Sequence, residues 1–401
     1  MASRGWLTAK FQSSQRMTKS SPSPLLRSLT SQLPEMVSTL RRYVEYESPS
    51  NSPDAITALV SLMATDFAAL SGHVRLHRLP DYGPALQVDF AGPRSAPRLL
   101  LLGHTDTVYP LGTLRTMPWR EHRGRLHGPG AFDMKAGIVQ ALFALKSMLV
   151  HGPLPCPVTL LLVPDEEIGS PASRIITERL ALRSSAVLVL EPAAGALGAC
   201  KTSRKGIARY TLRVRGLASH AGLDFERGAS AIVEAAHQVL TISALSRPAQ
   251  GLTLNPGLIS GGTRPNVVAD FAEIVTDVRF LTASQAARVD AGLRRLRPRD
   301  PRCGLEVLGG VERGPFVRSR ATVKLYRMAA QAAERLGFQL AEASVGGGSD
   351  GNLTAALGIP TLDGLGAVGD GAHAAEEFVI AREMPRRAAL LAELMTILAA
   401  V

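Results

Sequence analysis

Apolar runs alternate with segments of helical periodicity along most of the chain. The runs at 98–104, 157–165 and 186–192 are almost continuously apolar and predict buried strands. Residues 136–152 and 170–182 have the spacing of amphipathic helices. Strands that are apolar on both faces and alternate with helices are typical of a parallel sheet covered on both sides. We therefore predict an α/β fold with a doubly wound, mostly parallel sheet.

The middle of the chain has a different pattern. Residues 209–216, 252–263 and 271–281 alternate apolar and polar positions, as strands with one exposed face do. Helical segments at 228–245 and 283–296 accompany them. We predict a smaller α+β domain inserted at 205–314, with 35–204 and 315–401 forming the main domain.

Composition and charge narrow the possible partners. The 401 residues carry a net charge of +11, but aromatic residues are only 5% of the chain. The basic clusters are not interleaved with aromatics, so we expect no nucleic-acid partner. No apolar run has the length of a membrane span, so we expect no membrane partner either.

Residues 1–34 contain five basic residues and no acidic residue. We expect this basic N-terminal segment to be disordered. It lacks the apolar region of a clear secretory signal, which favours a cytoplasmic location and leaves a periplasmic or secreted one open.

Polar side chains follow the predicted strands at the points where these strands end. In an open α/β sheet, ligands bind beyond the carboxyl ends of the strands. Imidazoles and carboxylates gathered there suit zinc, cobalt or manganese, and two ions sharing a carboxylate would lie about 3.5–4 Å apart and activate a bridging water. The residues in question are His104, Asp106, Asp133, Glu166, Glu167, Glu191 and His373.

Two local spacings refine this picture. Residues i and i+2 of a strand face the same way, so Asp106 is placed to accept a hydrogen bond from the far nitrogen of His104 and to fix its tautomer. Of the adjacent Glu166 and Glu167, one can bind a metal ion while the other takes a proton from the water.

The motifs at these positions resemble those of the M20 metallopeptidases, in the family's order and from about residue 35 to the C-terminus. The glutamate carboxypeptidase branch is the most similar. The matching segments are GHTDTVYPLGT, GPGAFDMKAG, VPDEEIGSPASR, VLEP, ASHAG, NVVADFAEIVTDVR, GGGSDGN and GAHAAEEFV.

The resemblance implies a two-zinc hydrolase with an inserted lid domain that forms a homodimer. His104 and Glu191 would hold one ion, His373 and Glu167 the other, and Asp133 would bridge them. Glu166 would be the general base, and Asp106 would be the second catalytic residue, which fixes the tautomer of His104. The peptide bond between Asp133 and Met134 would be cis.

The resemblance also implies the residues that bind substrate. His220 would reach the active site of the partner subunit and hold the oxygen of the scissile carbonyl. Arg279, Asn266 and Arg313 would contact the substrate carboxylate, and Gly347 would present backbone N–H groups.

The substrate would be a small peptide that loses its C-terminal amino acid, or alternatively an N-acyl amino acid. A non-enzymatic binding module with structural metals is the remote alternative, and the extra carboxylate of Glu166 argues against it.

Overall fold

The computed structural model describes residues 23–401, which form an α/β domain with an inserted α+β unit. The strands are β1 (His73–His77), β2 (Ala85–Phe90), β3 (Leu99–His104), β4 (Arg120–His122), β5 (Arg125–His127), β6 (Val158–Val163), β7 (Ala186–Val189), β8 (Cys200–Arg204), β9 (Gly206–Arg215), β10 (Thr253–Gly261), β11 (Phe271–Phe280), β12 (Gly304–Arg313), β13 (Glu342–Val345), β14 (Thr361–Leu362), β15 (Gly369–Asp370) and β16 (Phe378–Ile380). The α-helices are α1 (Pro24–Ser31), α2 (Leu33–Val44), α3 (Pro53–Ala68), α4 (Ala136–Leu149), α5 (Arg174–Ala181), α6 (Ala231–Ser243), α7 (Ala283–Arg294), α8 (Arg320–Arg335), α9 (Gly351–Ala356) and α10 (Met384–Ala399).

The central sheet of the main domain has the strand order β1-β2-β6-β3-β7-β14. Strand β3 pairs in parallel with both β6 and β7, and β14 pairs in parallel with β7. Strands β1 and β2 form an antiparallel hairpin on one side. The predicted mostly parallel sheet is therefore confirmed, with one antiparallel hairpin added to its edge.

Helices cover both faces of this sheet, as the apolar strands predict. Leu99 and Leu101 of β3 belong to a core that includes α4 and α10. Leu100 and Leu102 belong to a second core on the opposite face, which includes α5. Both faces of β3 are covered by helices. The polar side chain of its last residue, His104, therefore lies at the carboxyl end of the strand and not on a face of the sheet.

The inserted unit has a four-stranded antiparallel sheet in the order β10-β11-β9-β12. Helices α6 and α7 pack on one face, where alternate strand residues form a separate apolar core. The sheet extends from Gly206 to Arg313, and we call this unit the lid. Two antiparallel backbone hydrogen bonds between Arg204 and Phe316, each 3.0 Å long, join the chain segments on either side of it.

Helix α1 lies within the N-terminal segment that was expected to be disordered. The side chain of Ser23 accepts a hydrogen bond from the backbone N–H of Leu26, and Pro24 occupies the first turn. Leu29 is fully buried in the core that contains α10. The expectation is wrong for residues 24–31 because a capped first turn and an apolar stripe dock this helix. Residues 1–22 lie outside the described residues.

A search of the described helices found none that is both long and apolar enough to cross a bilayer.

We expect Leu29→Ala to lower the free energy of unfolding by about 2–5 kcal/mol, because it leaves a cavity beneath α1. Chemical denaturation would measure the change. Thr30→Ala is the matched control on the exposed side of the same helix, and its effect should stay within about 0.5 kcal/mol. Equal effects of the two substitutions would contradict the docking of α1.

Candidate metal centre

The first half of the site is built around His104, the last residue of β3. Its Nε2 lies 3.3 Å from Asp133 Oδ1 and 3.5 Å from Glu191 Oε1. Its Nδ1 lies 3.0 Å from the backbone carbonyl oxygen of Asp106, which can only accept a hydrogen bond. Nδ1 therefore carries a proton, so a neutral His104 ring would present the lone pair of Nε2 to a cation at this position. We call these three side chains, His104, Asp133 and Glu191, the first pole.

The second half is built around His373, in the loop between β15 and β16. Its Nε2 lies 3.3 Å from Asp133 Oδ2 and 3.1 Å from Glu167 Oε2. We call His373, Asp133 and Glu167 the second pole. Asp133 contributes one carboxylate oxygen to each pole, which is the arrangement that a bridging ligand requires.

The donor set fits a divalent cation at each pole. Nitrogen and oxygen ligands about 2.0–2.1 Å from a tetrahedral zinc ion lie about 3.3 Å from one another. The separations of 3.1–3.5 Å within the two poles match this spacing. Oε1 of Glu167 is buried and has no hydrogen-bond partner among the described residues. A cation would also remove the repulsion among the carboxylates of Asp133, Glu167 and Glu191.

The charges of these groups depend on one another. Burial raises the pKa of Asp133, but hydrogen bonds to His104 and His373 outweigh burial and lower it. Hydrogen bonds to Asp133 and Glu167 raise the pKa of His373 to about 10. For His104, burial acts to lower the pKa, but its carboxylate neighbours raise it well above the usual value. The site thus favours positive charge at the positions of both poles.

The three consecutive carboxylates after β6 have separate partners. Asp165 accepts hydrogen bonds from the backbone N–H groups of Ala172 and Ser173, at 2.8 and 3.1 Å, and from the Ser173 hydroxyl. It therefore fixes the turn that leads into α5. Glu167 belongs to the second pole, and Glu166 is paired with an arginine, as described next.

Glu166 forms an ion pair with Arg313, whose Nη1 lies 2.8 Å from Glu166 Oε1. Burial raises the pKa of Glu166 to about 8, and Arg313 opposes this rise. A ligand atom of Glu166 also lies within 4.8 Å of ligand atoms of His104 and Glu191. Glu166 is therefore beside the first pole, and the guanidinium of Arg313 holds one of its carboxylate oxygens.

Arg313 differs from its sequence-based expectation. It was expected to contact the carboxylate of the substrate, yet its side chain is 3% exposed and paired with Glu166 and Asp350. The physical reason is a β-bulge at the end of β12, which turns the side chain of Arg313 towards the main domain.

Asp106 supports the site in two ways. Its carboxylate lies 3.4 Å from His104 Nδ1, while its backbone carbonyl is nearer. The same carboxylate accepts hydrogen bonds from the backbone N–H groups of Glu166 and Glu167, at 3.2 and 3.1 Å, and from the Ser50 hydroxyl at 2.6 Å. Asp106 therefore connects the end of β3 to the turn that carries both glutamates.

Glu377 was missed by the sequence reasoning. Oε1 accepts hydrogen bonds from the backbone N–H groups of Phe132 and Asp133, and Oε2 accepts from Gly130 N–H and the Tyr109 hydroxyl. These contacts fix the turn that presents Asp133, and the peptide bond between Asp133 and Met134 is cis, as predicted. The available signal was an acidic residue four positions after His373, directly before the apolar run that forms β16.

Arg204 was also missed. It is buried at the end of β8, forms a bidentate ion pair with Asp363 and lies 3.1 Å from Glu191 Oε2. Its Nη1 donates to the carbonyl oxygens of Gly347 and Gly348. Arg204 thus positions Glu191 of the first pole. It also fixes the glycine-rich segment 346–352, which we call the glycine loop and in which Gly347 is exposed.

Three residues expected to contact substrate lie in the lid. Asn266 and His220 are neighbours, since the Asn266 carbonyl accepts from Ala221 N–H and His220 bridges to Val267. Arg279 forms a bidentate ion pair with Asp277, at 2.8 and 3.0 Å. Within residues 23–401, no hydrogen bond or ion pair joins these three side chains to either pole. The structure therefore brings together the residues that were expected to bind metal but not those that were expected to bind substrate.

The sequence profile described as "Peptidase family M20/M25/M40" matches residues 100–397, which is most of the chain. The chain belongs to this peptidase family. The family is consistent with the mixed sheet, the inserted unit and the clustered metal ligands described above.

Two curated relatives differ in the activity that their names state. Carboxypeptidase G2 of Pseudomonas sp. (strain RS-16) is 29% identical over 382 residues, which is 92% of this chain and 91% of the relative. Acetylornithine deacetylase of Klebsiella pneumoniae (strain 342) is 28% identical over 267 residues, which is 62% of this chain and 68% of the relative.

Among solved structures, the M20 family metallo-carboxypeptidase Sso-CP2 from Sulfolobus solfataricus has the same fold. The TM-score is 0.74 at 16% identity, with 92% of this chain and all of that chain covered (100%). At this identity the likeness concerns the fold.

We expect Glu377→Gln to weaken metal binding about 10–100-fold, the usual effect of losing a group that orients a ligand. A glutamine would place an amide N–H against backbone N–H groups that now donate to the carboxylate. Competition with a chromophoric chelator would measure the affinity. The matched control is Glu376→Gln, since the neighbouring Glu376 side chain is 83% exposed. Equal affinities of the two variants would contradict the role of Glu377.

Proposed function

We propose that this chain is a di-metal exopeptidase that hydrolyses the amide bond of a carboxyl-terminal amino acid. The observation that carries the proposal is the position of Asp133 between two histidine poles, with the further carboxylate of Glu166 beside them. The name of the 29% identical relative, a carboxypeptidase that matches 92% of this chain, supports the class of reaction.

His104, Asp133 and Glu191 would hold one ion, and His373, Asp133 and Glu167 the other. Zinc is the first candidate, with cobalt or manganese as alternatives, because the ligands are imidazoles and carboxylates. When bound, such ions polarise the scissile carbonyl and lower the pKa of an attacking water.

Glu166 acts as the general base in this proposal. Arg313 engages its Oε1 at 2.8 Å, so Oε2 is the oxygen left to accept a proton from the attacking water. The protonated carboxyl then donates this proton to the nitrogen of the leaving amine. A base that is buried and close to the first pole can carry out both transfers without moving far.

The lid supplies the substrate contacts. His220 Nδ1 accepts a hydrogen bond from the backbone N–H of Gly222 at 3.1 Å, so the neutral ring carries its proton on Nε2. That N–H is free to donate to the oxygen of a scissile carbonyl. Arg279 uses Nε and Nη2 for Asp277, which leaves Nη1 donors for the carboxylate of the substrate.

A homodimer through the lid completes this proposal, with His220 acting in the site of the partner subunit. Strand β10 is an edge strand, and an edge strand can pair with a second copy. Apolar side chains that are about half exposed or more lie on β10 and the adjacent α6: Ile232, Val233, Leu240, Leu258 and Ile259. Burying these side chains would stabilise a symmetric pair.

The alternative substrate class is an N-acyl amino acid, which the 28% identical deacetylase makes a specific candidate. Both classes place a free carboxylate on the amine side of the bond and differ in the acyl side. The metal centre and Glu166 serve either class, so the acyl pocket decides between them.

We expect the metal-loaded enzyme to hydrolyse dipeptides or N-acyl amino acids, and an exhaustive chelator to abolish this activity. Zinc, cobalt or manganese should restore it. Substrates with an amidated carboxyl terminus should have a much lower kcat/KM, because Arg279 would lack the substrate carboxylate that it is proposed to bind. The ratio of kcat/KM between the two substrate classes identifies the function. Full activity in protein shown by elemental analysis to be metal-free would refute the proposal.

We expect Glu166→Gln to lower kcat on the order of 10²–10⁴-fold, because the amide keeps the shape of the side chain and removes its basicity. Two ions per chain should remain bound, as measured by elemental analysis. If the variant loses an ion, Glu166 is a ligand, and the roles given to Glu166 and Glu167 are reversed.

A further inference from the structure

Arg313 lies at the point where the chain leaves the lid, and a β-bulge directs its side chain. Val311 of β12 pairs with Ala208, but Arg313 pairs with Ile207, so Glu312 is the extra residue. In a regular strand Val311 and Arg313 would share a face, whereas the bulge turns Arg313 to the face of Ile207. A Cβ atom placed on Gly348 would lie 2.5 Å from Ile207 Cδ1 and 3.7 Å from Arg313 Cδ, so this face meets the glycine loop of the main domain.

The guanidinium of Arg313 makes four contacts, all with the main domain. Nη1 lies 2.8 Å from Glu166 Oε1 and 3.0 Å from Asp350 Oδ1. Nη2 donates to the backbone carbonyl of Glu166 and to the Ser170 hydroxyl, each at 3.0 Å. Glu166 is therefore held at both its carboxylate and its backbone by one side chain from the end of the lid.

Hydrogen bonds from one side chain of the main domain hold the two chain segments that connect it to the lid. Asn352 is fully buried, and its Nδ2 donates to the carbonyl oxygens of Lys205 and Gly314, at 3.0 and 2.8 Å. These two residues stand immediately before the first strand and after the last strand of the lid. One amide thus joins the chain segments at both ends of the lid to α9, which makes this point the candidate pivot for a rotation of the lid.

We propose that Arg313 is a positioning residue that orients the carboxylate of Glu166 from the pivot of the lid. A group on the pivot moves little when the lid closes, so Glu166 keeps one orientation in open and closed states. This inference rests on the proposed role of Glu166 as the base. It replaces the expectation that Arg313 binds the carboxylate of the substrate, since the buried guanidinium already serves two carboxylates.

A double-mutant cycle between Arg313 and Glu166 tests the proposal, using Arg313→Met, Glu166→Gln and the double variant. We expect Arg313→Met to lower kcat on the order of 10²-fold, the effect of a misplaced reacting group, with KM nearly unchanged. In the Glu166→Gln background, the same substitution should have little further effect, because residues that act as one unit are not additive. Elemental analysis should still find two ions per chain.

Arg313→Lys covers the case in which the methionine variant fails to fold. A single ammonium can keep one carboxylate contact, so we expect a kcat between those of the wild type and Arg313→Met. Arg209→Met is the matched control, since Arg209 lies on the same face of the lid sheet with a side chain that is 58% exposed. It should leave kcat unchanged.

Three results would overturn the proposal. The first is a multiplicative loss in the double variant. The second is a selective loss of discrimination between acid and amidated substrates, which would return Arg313 to the substrate site. The third is wild-type kcat in both Arg313 variants. A wild-type enzyme with no hydrolytic activity would instead refute the proposed function itself.

Discussion

The repulsion among buried carboxylates around Asp133 is the constraint on which the rest of the site depends. Asp133, Glu167 and Glu191 are mostly buried, and they converge with the buried His104 and the half-exposed His373. Clustered anions of this kind are stable only beside positive charge. Metal ions would satisfy that requirement at the two poles, and arginine satisfies it around them, where Arg204 pairs with Glu191 and Arg313 pairs with Glu166.

Different elements of the fold supply the side chains of the site and the groups that orient them. Parallel strands β3, β6 and β7 bring His104, Glu166, Glu167 and Glu191 to one edge because their carboxyl ends coincide. Loops from elsewhere in the chain then add Asp133 and His373. Residues that touch no proposed ion, such as Asp106 and Glu377, fix the backbone turns on which the ligands stand. The orientation of each ligand is therefore set by hydrogen bonds and not by the strand geometry alone.

Much of the fold was predictable from the sequence, because apolar periodicity reports burial directly. The buried strands, the covering helices and the alternating strands of the lid follow from it. Helix α1 was not predicted, since its basic and serine-rich surroundings hid a single apolar stripe. The hairpin β1–β2 adds antiparallel strands whose direction periodicity does not encode.

The side chains of the two poles were also predictable, because they follow strands or glycine-rich turns in a recognisable order. The side chains that pair with Arg204 and Arg313 could not be predicted from the sequence. Whether Arg313 faces the main domain or the opposite face of the lid sheet depends on a single bulge residue, Glu312, because a one-residue shift reverses the face of a strand residue. Glu377 and Arg204 form hydrogen bonds to backbone groups that are far away in sequence, and no local spacing of residues predicts such contacts.

Anomalous diffraction from crystals grown with zinc tests the central claim most directly. The account predicts two anomalous peaks about 3.5–4 Å apart, with one Asp133 oxygen at each, His104 and Glu191 at the first and His373 and Glu167 at the second. Glu166 should contact neither peak directly. A single peak, or a peak ligated by Glu166 in place of Glu167, would contradict the account.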